Sequence, residues 1–300
     1  MAATSTALTA TPAASRSHRP RGALAQAARV FARDRPAMLG LLIIAIIGGA
    51  ALAAPLISPW DPLTSASVER LSPVGTPGHL LGTDEQGRDI LSRLIWGGRA
   101  SLLVGILPTV TAGVVALGLG LLAGYLGGLV DHVIMRALDV FFAFPLVLLA
   151  IAIVGVIGPG MGNQMFALAV VLVPYSTRVV RTAALSVKPL EYVEAARALG
   201  ASGGRLVGRH VLPNVLPPLL VYTSTLVGLM IVASAGLSFL GLGVQPPTPD
   251  WGVMVGNGRL VLYRAAHVAT IPGVVIVVAA LAFNFVGDGL REALDPRARR

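Results

Sequence analysis

The length of the stretches without a charged residue constrains this chain more than any other feature. A membrane-spanning helix needs about 20 consecutive apolar residues. Ala37 to Ile57 runs 21 residues without a charge, Ala100 to Val130 runs 31, Val140 to Thr177 runs 38, and Ala265 to Gly287 runs 23. A fifth stretch, Val211 to Pro249, is entered through Pro213, Pro217 and Pro218 and left through Pro246, Pro247 and Pro249. The 38-residue run is too long for one helix, and Gly158-Pro159-Gly160 divides it into a helix, a tight turn and a second helix. Six spans are therefore expected, near residues 37–57, 101–126, 134–157, 164–184, 215–241 and 266–289. Composition agrees. Of 300 residues 55% are hydrophobic and 12% charged, about half the charged share of a soluble domain. The chain reads as an all-α, polytopic integral membrane protein.

Lysine and arginine placement sets the expected orientation. The N-terminal tail, the 127–139 link, the 178–213 segment and the C-terminal tail together hold 17 of the 23 basic residues, against six in the alternate loops. The richer side is the cytoplasm, so both termini and the loop near 185–213 are expected inside. The net charge of +9 then serves orientation, and nucleic acid is not an expected partner. The expected organisation is a disordered, basic tail over 1–36, a first transmembrane helix over 37–57 and an outer loop over 58–100. A five-helix core follows over 101–290, containing the 185–213 loop, and then a cytoplasmic tail over 291–300. Residues 1–15 carry no charge and no aromatic, and they lack the basic n-region and apolar h-region of a signal peptide. With no cysteine in the chain, disulfides, thiolate chemistry and Cys-ligated metals are excluded.

The cytoplasmic loop is the most informative segment. In Pro189 to Gly200, Glu191 and Glu194 fall in a first helical turn, where they complement the helix dipole. Gly200 stands where a C-terminal stop belongs. Tyr192, Ala195, Ala196 and Leu199 recur at i, i+3, i+4 and i+7, an apolar stripe on a helix too short to span. A second short segment, Gly204 to Leu212, is expected to end at Pro213. The stripe suits either packing against the chain's own helices or docking of a partner protein.

Glu194-Ala195-Ala196, then Gly200, His210 and Leu212-Pro213, resembles the EAA loop of binding-protein-dependent ABC importer permeases, with His210 in place of the usual Ile. The run Leu81 to Arg93, the segment Phe239 to Pro247, and Gly287 to Arg291 with Asp295 to Arg297 are similar to C-type permeases of dipeptide, oligopeptide and nickel importers. Val173 and Ser176 depart from that pattern, standing where a Trp and a Tyr are expected before Arg178 and Arg181. The resemblance implies a multi-pass subunit of the cell membrane that pairs with a second permease. It implies two ATP-binding subunits and a substrate-binding protein as further partners. Glu194, Ala195, Ala196, Gly200, His210, Leu212 and Pro213 would couple to the ATPase. ATP and magnesium would be held by those partners, with no cofactor in this chain and no enzymatic activity of its own. The implied cargo is a di- or oligopeptide, with nickel complexes or glutathione as alternatives.

Other chemistry is weakly signalled. Gly200-Ala201-Ser202-Gly203-Gly204 fits a G-x-S-x-G elbow, but no strand is expected before it, and Ser202 reads as a helix-start cap rather than a hydrolase nucleophile. Asp84, Glu85 and Asp89 read as a solvated turn, and His79, His132, His210 and His267 show no i, i+4 metal pair. Lys188 is the only lysine, and no G-x-x-x-x-G-K-[ST] loop exists to cradle a nucleotide. The spans look poor in charge. Asp139 is near a span end, Arg178 and Arg181 are expected to snorkel, and Asn284 is the one deep polar group of the last span. That pattern counts against a self-contained secondary transporter.

Overall fold

The computed structural model describes residues 23–65 and 69–294, and among these every regular element is helical. The helices are α1 (Ala23–Arg33), α2 (Arg35–Leu52), α3 (Ala54–Ile57), α4 (Ile90–Leu121), α5 (Gly128–Asp139), α6 (Leu146–Ile157), α7 (Met161–Val187), α8 (Glu191–Ala198), α9 (Gly203–Leu206), α10 (Leu212–Phe239), α11 (Trp251–Gly258) and α12 (His267–Leu294). Five continuous helical runs are long and apolar enough to cross a membrane, and a sixth crossing is made if the bent pair α5 and α6 counts as one.

Glycine permits the closest helix contacts. A Cβ on Gly120 of α4 would lie 2.5 Å from the Val180 side chain of α7, and one on Gly124 would lie 2.7 Å from Ala184. The two helices run parallel and share the largest packing surface in the molecule. Gly105 of α4 likewise meets Ile231 of α10, and Gly228 of α10 meets the Ala280 carbonyl and Asn284 of α12. Asn284 thus lies at a helix crossing. Gly40 of α2 meets the Ala282 carbonyl of α12. Small residues let backbones approach where lipid offers no hydrophobic drive for association.

Several expected boundaries move, each for a physical reason. The helix of the expected second span begins at Ile90, not 101, so the loop before it closes at residue 89. Arg93 and Arg99 interrupt the apolar run, but both find partners inside the fold. Arg93 sits 3.4 Å from Asp84 and donates to the Pro62 carbonyl at 3.0 Å. Arg99 donates to the carbonyls of Ala51 and Leu52, at 2.6 and 2.9 Å, capping the end of α2. The expected third span, 134–157, is not one helix. Pro145 has no N–H to continue α5, and it holds Phe144 at φ −117°, ψ 139°. The chain turns by 90° there. At 12 residues α6 is roughly 18 Å long, short of the roughly 30 Å hydrocarbon core.

Pro213 does not end the second short segment of the 185–213 loop. A π-helical turn over Val207–Val211 absorbs the missing donor, with Leu212 N–H reaching back to the Val207 carbonyl, and helix continues from Gly203 to Phe239. The tail expected to be disordered over 1–36 contains α1. Phe31 of α1 and Asp34 border Gly289 of α12, and Asp34 caps α2 by accepting from Ala37 N–H. The expectations for residues 1–15 and for Asp295 to Arg297 lie outside the described residues.

The turn Asp84 to Asp89 is buried rather than solvated. Asp84, Arg88, Asp89 and Arg93 are each under 5% exposed. Arg88 Nε donates to Asp84 at 2.6 Å, and Asp89 starts α4 by accepting from the Ser92 N–H and hydroxyl, both at 2.7 Å. His79 bridges Asp89 and Glu69 at 3.0 Å each and stacks on Trp60. Charge clusters close together in sequence satisfy one another, so the loop folds as a cap on the bundle.

Packing directions place the chain ends. Gly98 near the start of α4 touches Ala51 at the end of α2, so these helices are antiparallel. The start of α2, the end of α4, the end of α12 and the 188–213 segment therefore share one end of the bundle. The 69–89 cap and α11 occupy the other.

Two predictions follow from this packing. Gly120→Val overpacks the α4–α7 contact and should cost about 1–3 kcal/mol, read as a lower melting midpoint of the purified protein. Gly118→Val, whose added Cβ would meet nothing within 4 Å, should leave it nearly unchanged. The second concerns His79. Burial pulls its pKa down, but hydrogen bonds to Asp89 and Glu69 outweigh this and lift it above its ordinary value of 6.5. A raised folded pKa contributes stability that is fully present below the unfolded value and is lost as pH rises through the folded one. Hydrogen-exchange protection across 69–89, taken relative to the intrinsic base-catalysed rate, should therefore fall above pH 6.5 in the native chain, and His79→Gln should flatten that loss.

Candidate functional site

The end of the bundle opposite the cap carries the residues singled out in the sequence. Helix α8 is only eight residues long, and Leu190 at its N-cap offers no side-chain hydrogen bond. Glu191 and Glu194 in its first turn supply the negative charge that the helix start favours. Its end is a Schellman turn. Gly200 N–H donates to the Arg197 carbonyl at 2.9 Å and Ala201 N–H to the Ala196 carbonyl at 3.1 Å, while Gly200 adopts φ +83°. Ala196 and Ala201 then meet over the same apolar cluster, the contact that accompanies such a turn.

One residue roots α8. Val193 is fully buried among Val180, Ala184 and Val187 of α7 and Leu206, Val211, Val215 and Leu219 of the 203–239 helix. The sequence stripe divides on this root. Ala196, three residues on from Val193, faces inward. Tyr192, Ala195 and Leu199 face out, with Leu199 88% exposed. The stripe therefore does not fold back as a whole onto the chain's own helices. Val193 itself was not singled out by spacing, because a lone valine in a polar turn carries no period. Glu194 is exposed.

His210 lies in the π-helical turn, and its ring sits 5.9 Å from that of Tyr192. Asn214 joins them, donating to the Tyr192 hydroxyl at 3.2 Å and to the His210 carbonyl at 2.6 Å. Asn214 thus ties α8 to the start of α10, with the His210 ring packed beside Tyr192. Leu212 is half-buried and Pro213 exposed at the first turn of α10. Of the seven residues the sequence selects, Glu194, Ala195, Ala196 and Gly200 form α8 and its turn, while His210, Leu212 and Pro213 form the facing strut. Lys188 closes the arrangement by donating to the Tyr125 carbonyl at 2.8 Å, at the frayed end of α4. Ser202 holds the helix-start position of α9 without a capping hydrogen bond from its hydroxyl, and no strand precedes it among the described residues.

A second polar constellation was not legible in the sequence. Arg181 makes a bidentate pair with Asp131 at 2.5 and 2.6 Å, and Arg178 pairs with Asp139 at 2.5 Å. These arginines of α7 bind carboxylates of α5 instead of snorkelling, so the spans are less poor in charge than expected. Gln164 of α7 is also fully buried, donating to the Ser234 carbonyl of α10 at 2.7 Å. The departures Val173 and Ser176 point into the bundle, Ser176 fully buried and Val173 packed on the main core.

With this geometry in view, comparison with known proteins is direct. Residues 116–300 match the family of binding-protein-dependent transport system inner membrane components, and residues 23–73 match the N-terminal transmembrane domain of oligopeptide transport permease C. A di/tripeptide transport system permease of Pseudomonas aeruginosa is 43% identical over 274 residues, covering 90% of each chain. A glutathione transport system permease of Pectobacterium atrosepticum is 42% identical over 271 residues, again 90% of each. A methionine ABC transporter solved in inward-facing conformations superposes with a TM-score of 0.57 at 22% identity, over 69% of this chain and 98% of that one. Its likeness speaks for the fold alone. Relatives aligned over nine-tenths of both chains at this identity, together with a family match over more than half the chain, decide the assignment: the chain belongs to the binding-protein-dependent transport system inner membrane component family, and is a permease subunit of an ABC importer of the inner membrane.

Proposed function

We propose that this permease conducts short peptides delivered by a substrate-binding protein, and that α8 transmits the work of separate ATPase subunits to the bundle. The observation that carries the coupling role is the division of α8: Val193 is sealed into the chain's own core while Tyr192, Ala195 and Leu199 are presented outward. A helix held by one buried residue and showing an apolar face to solvent is built to be covered by another protein. The seating spans α7, α8 and the 203–239 helix, so force applied to α8 moves two spanning helices together.

In this reading α5 and α6 count as one bent span, giving six. Both chain ends and Ser202 lie in the cytoplasm, where the basic residues concentrate. A second permease completes the pathway and two ATP-binding subunits hold ATP and magnesium. The cargo is a di- or oligopeptide, supported by the 43% identical di/tripeptide permease. Glutathione, itself a short peptide, is the second reading, supported by the 42% identical glutathione permease.

Orientation is tested by single cysteines in this cysteine-free chain. Gly75→Cys should react with an impermeant thiol reagent in intact cells, and Ser202→Cys only after lysis. Coupling is tested by cargo-stimulated ATP hydrolysis of the reconstituted importer. A β-branched residue at φ +83° costs about 1–2 kcal/mol in the Schellman turn, so Gly200→Val should lower stimulated hydrolysis about tenfold, and Gly200→Asn much less. Leu199→Asp puts a carboxylate on the docking face and should reduce co-purification of the ATPases. Unchanged assembly and hydrolysis in both Gly200→Val and Leu199→Asp would sink the coupling assignment.

A further inference from the structure

The Arg178–Asp139 pair stands apart from the other ion pairs of the molecule. Arg178 and Asp139 side chains are 49% and 45% exposed, whereas the partners in the outer cap are mostly buried. Arg178 follows the 17 charge-free residues that open α7, roughly 26 Å from the helix start, which puts the pair near the edge of a hydrocarbon core of about 30 Å. A half-exposed ion pair at that edge is favoured where it meets water and disfavoured where it meets lipid. Charged groups within spans face a bundle interior or a water-filled cavity.

A second observation points the same way. Asp139 ends α5, and the backbone immediately beyond it is irregular, a 3₁₀ turn over Val140–Ala143 and then extended Phe144 before Pro145. Broken backbone at membrane depth is tolerated where it lines protein or water rather than lipid. A cavity of about 350 Å³ opens at this point, lined by Met135, Asp139, Arg178, Arg181 and Thr182. Phe142 lies under the Arg178 guanidinium at 3.8 Å and packs on Tyr175 at 4.7 Å. The aromatic face fixes the guanidinium in place while leaving its edge free to donate. Arg181 differs. Its bidentate pair with Asp131 is more buried and serves as the fixed strut between α5 and α7.

We infer that Arg178 and Asp139 form a carboxylate-exchange site on the transport path, in which the guanidinium releases Asp139 and takes the carboxylate of a passing peptide. The inference rests on the peptide-importer reading above. Every such cargo carries a terminal carboxylate that loses its water on entering the pathway. A bidentate guanidinium replaces that hydration, and Asp139 returns as the resident counter-charge when the cargo leaves. A half-exposed pair with single-point contact exchanges easily, so the site passes cargo on rather than trapping it.

The assembled importer carrying Thr182→Cys tests this directly, with labelling read on this subunit. Anionic sulfonatoethyl methanethiosulfonate should react several-fold faster than the cationic trimethylammonium analogue. With each rate normalised to that of a free thiol, Asp139→Asn should widen that ratio and Arg178→Gln, which leaves Asp139 unpaired, should invert it. Uptake of L-alanyl-L-alanine or S-methylglutathione, whichever the wild type accumulates, should fall at least tenfold in Arg178→Gln and recover in part in Arg178→Lys. A Thr182→Cys inert to both reagents, at rest and during turnover, would mean lipid or the second permease covers the site and would overturn the inference. So would equal reaction rates with Arg178 present. Uptake in Arg178→Gln equal to wild type would also overturn it, leaving the peptide reading intact. A wild-type importer that accumulates neither peptide, yet shows the Arg178-dependent ratio, would overturn the cargo reading while supporting the anion site.

Discussion

Hydrocarbon supplies no hydrogen bonds, and nearly every local feature of this permease is an answer to that constraint. Each backbone group within the membrane must find its partner in the protein, which leaves helices as the solution for a chain of this composition. The departures from regular helix show how strictly the rule is kept. Where α2 ends, the guanidinium of Arg99 takes two of its free carbonyls. Where α4 loosens into a π-helical turn, Lys188 takes the Tyr125 carbonyl. Where Pro213 removes a donor, the π-helical turn before it and the Asn214 side chain reorganise the bonding. Arg99, Lys188 and Asn214 are thus spent on mending helix ends.

The same requirement explains why the two ends of the bundle differ. On the cap side, carboxylates and guanidiniums are consumed by one another around Asp84 and Asp89, closing a short segment of chain onto the start of α4. On the other side, apolar residues of α7 and the 203–239 helix gather around Val193 and leave the charged and apolar outer face of α8 unspent. An end whose polar groups are mutually satisfied is a lid. An end that holds a helix by one buried valine and offers the rest outward suits the proposed role of a handle for another protein.

Between them runs the contact of α4 with α7, close enough for Gly120 and Gly124 to admit no side chain. Because Ala184 and Val180 belong both to this contact and to the cluster beneath α8, the handle is mounted on the most tightly packed helix pair of the molecule. The bent α5–α6 pair joins this unit in two ways, α5 through Asp131 and Asp139 and α6 through Ala150 and Val154, buried in the core against α7.

Much of this was legible from residues alone. Charge-free run length and Gly158-Pro159-Gly160 are local signals, and they located the long helices α2, α7 and α12 to within about five residues. Gly200 announced its turn because only glycine enters that backbone region without strain. The sequence misled where a charged or proline residue is satisfied by a partner far along the chain. Arg93 and Arg99 looked like loop and are helix, because Pro62, Ala51 and Leu52 accept from them. Pro213 looked like a stop and is not. Val193, Arg178 with Asp139, and the split of the α8 stripe were decided by tertiary structure alone. Their roles come from which surfaces meet, and packing between helices more than 30 residues apart leaves no period to read. Sequence by itself determined that this chain must be a bundle of membrane helices with a short amphipathic helix at one end. Only the packed structure decided which face of that helix is free and which charges are left open to a cavity.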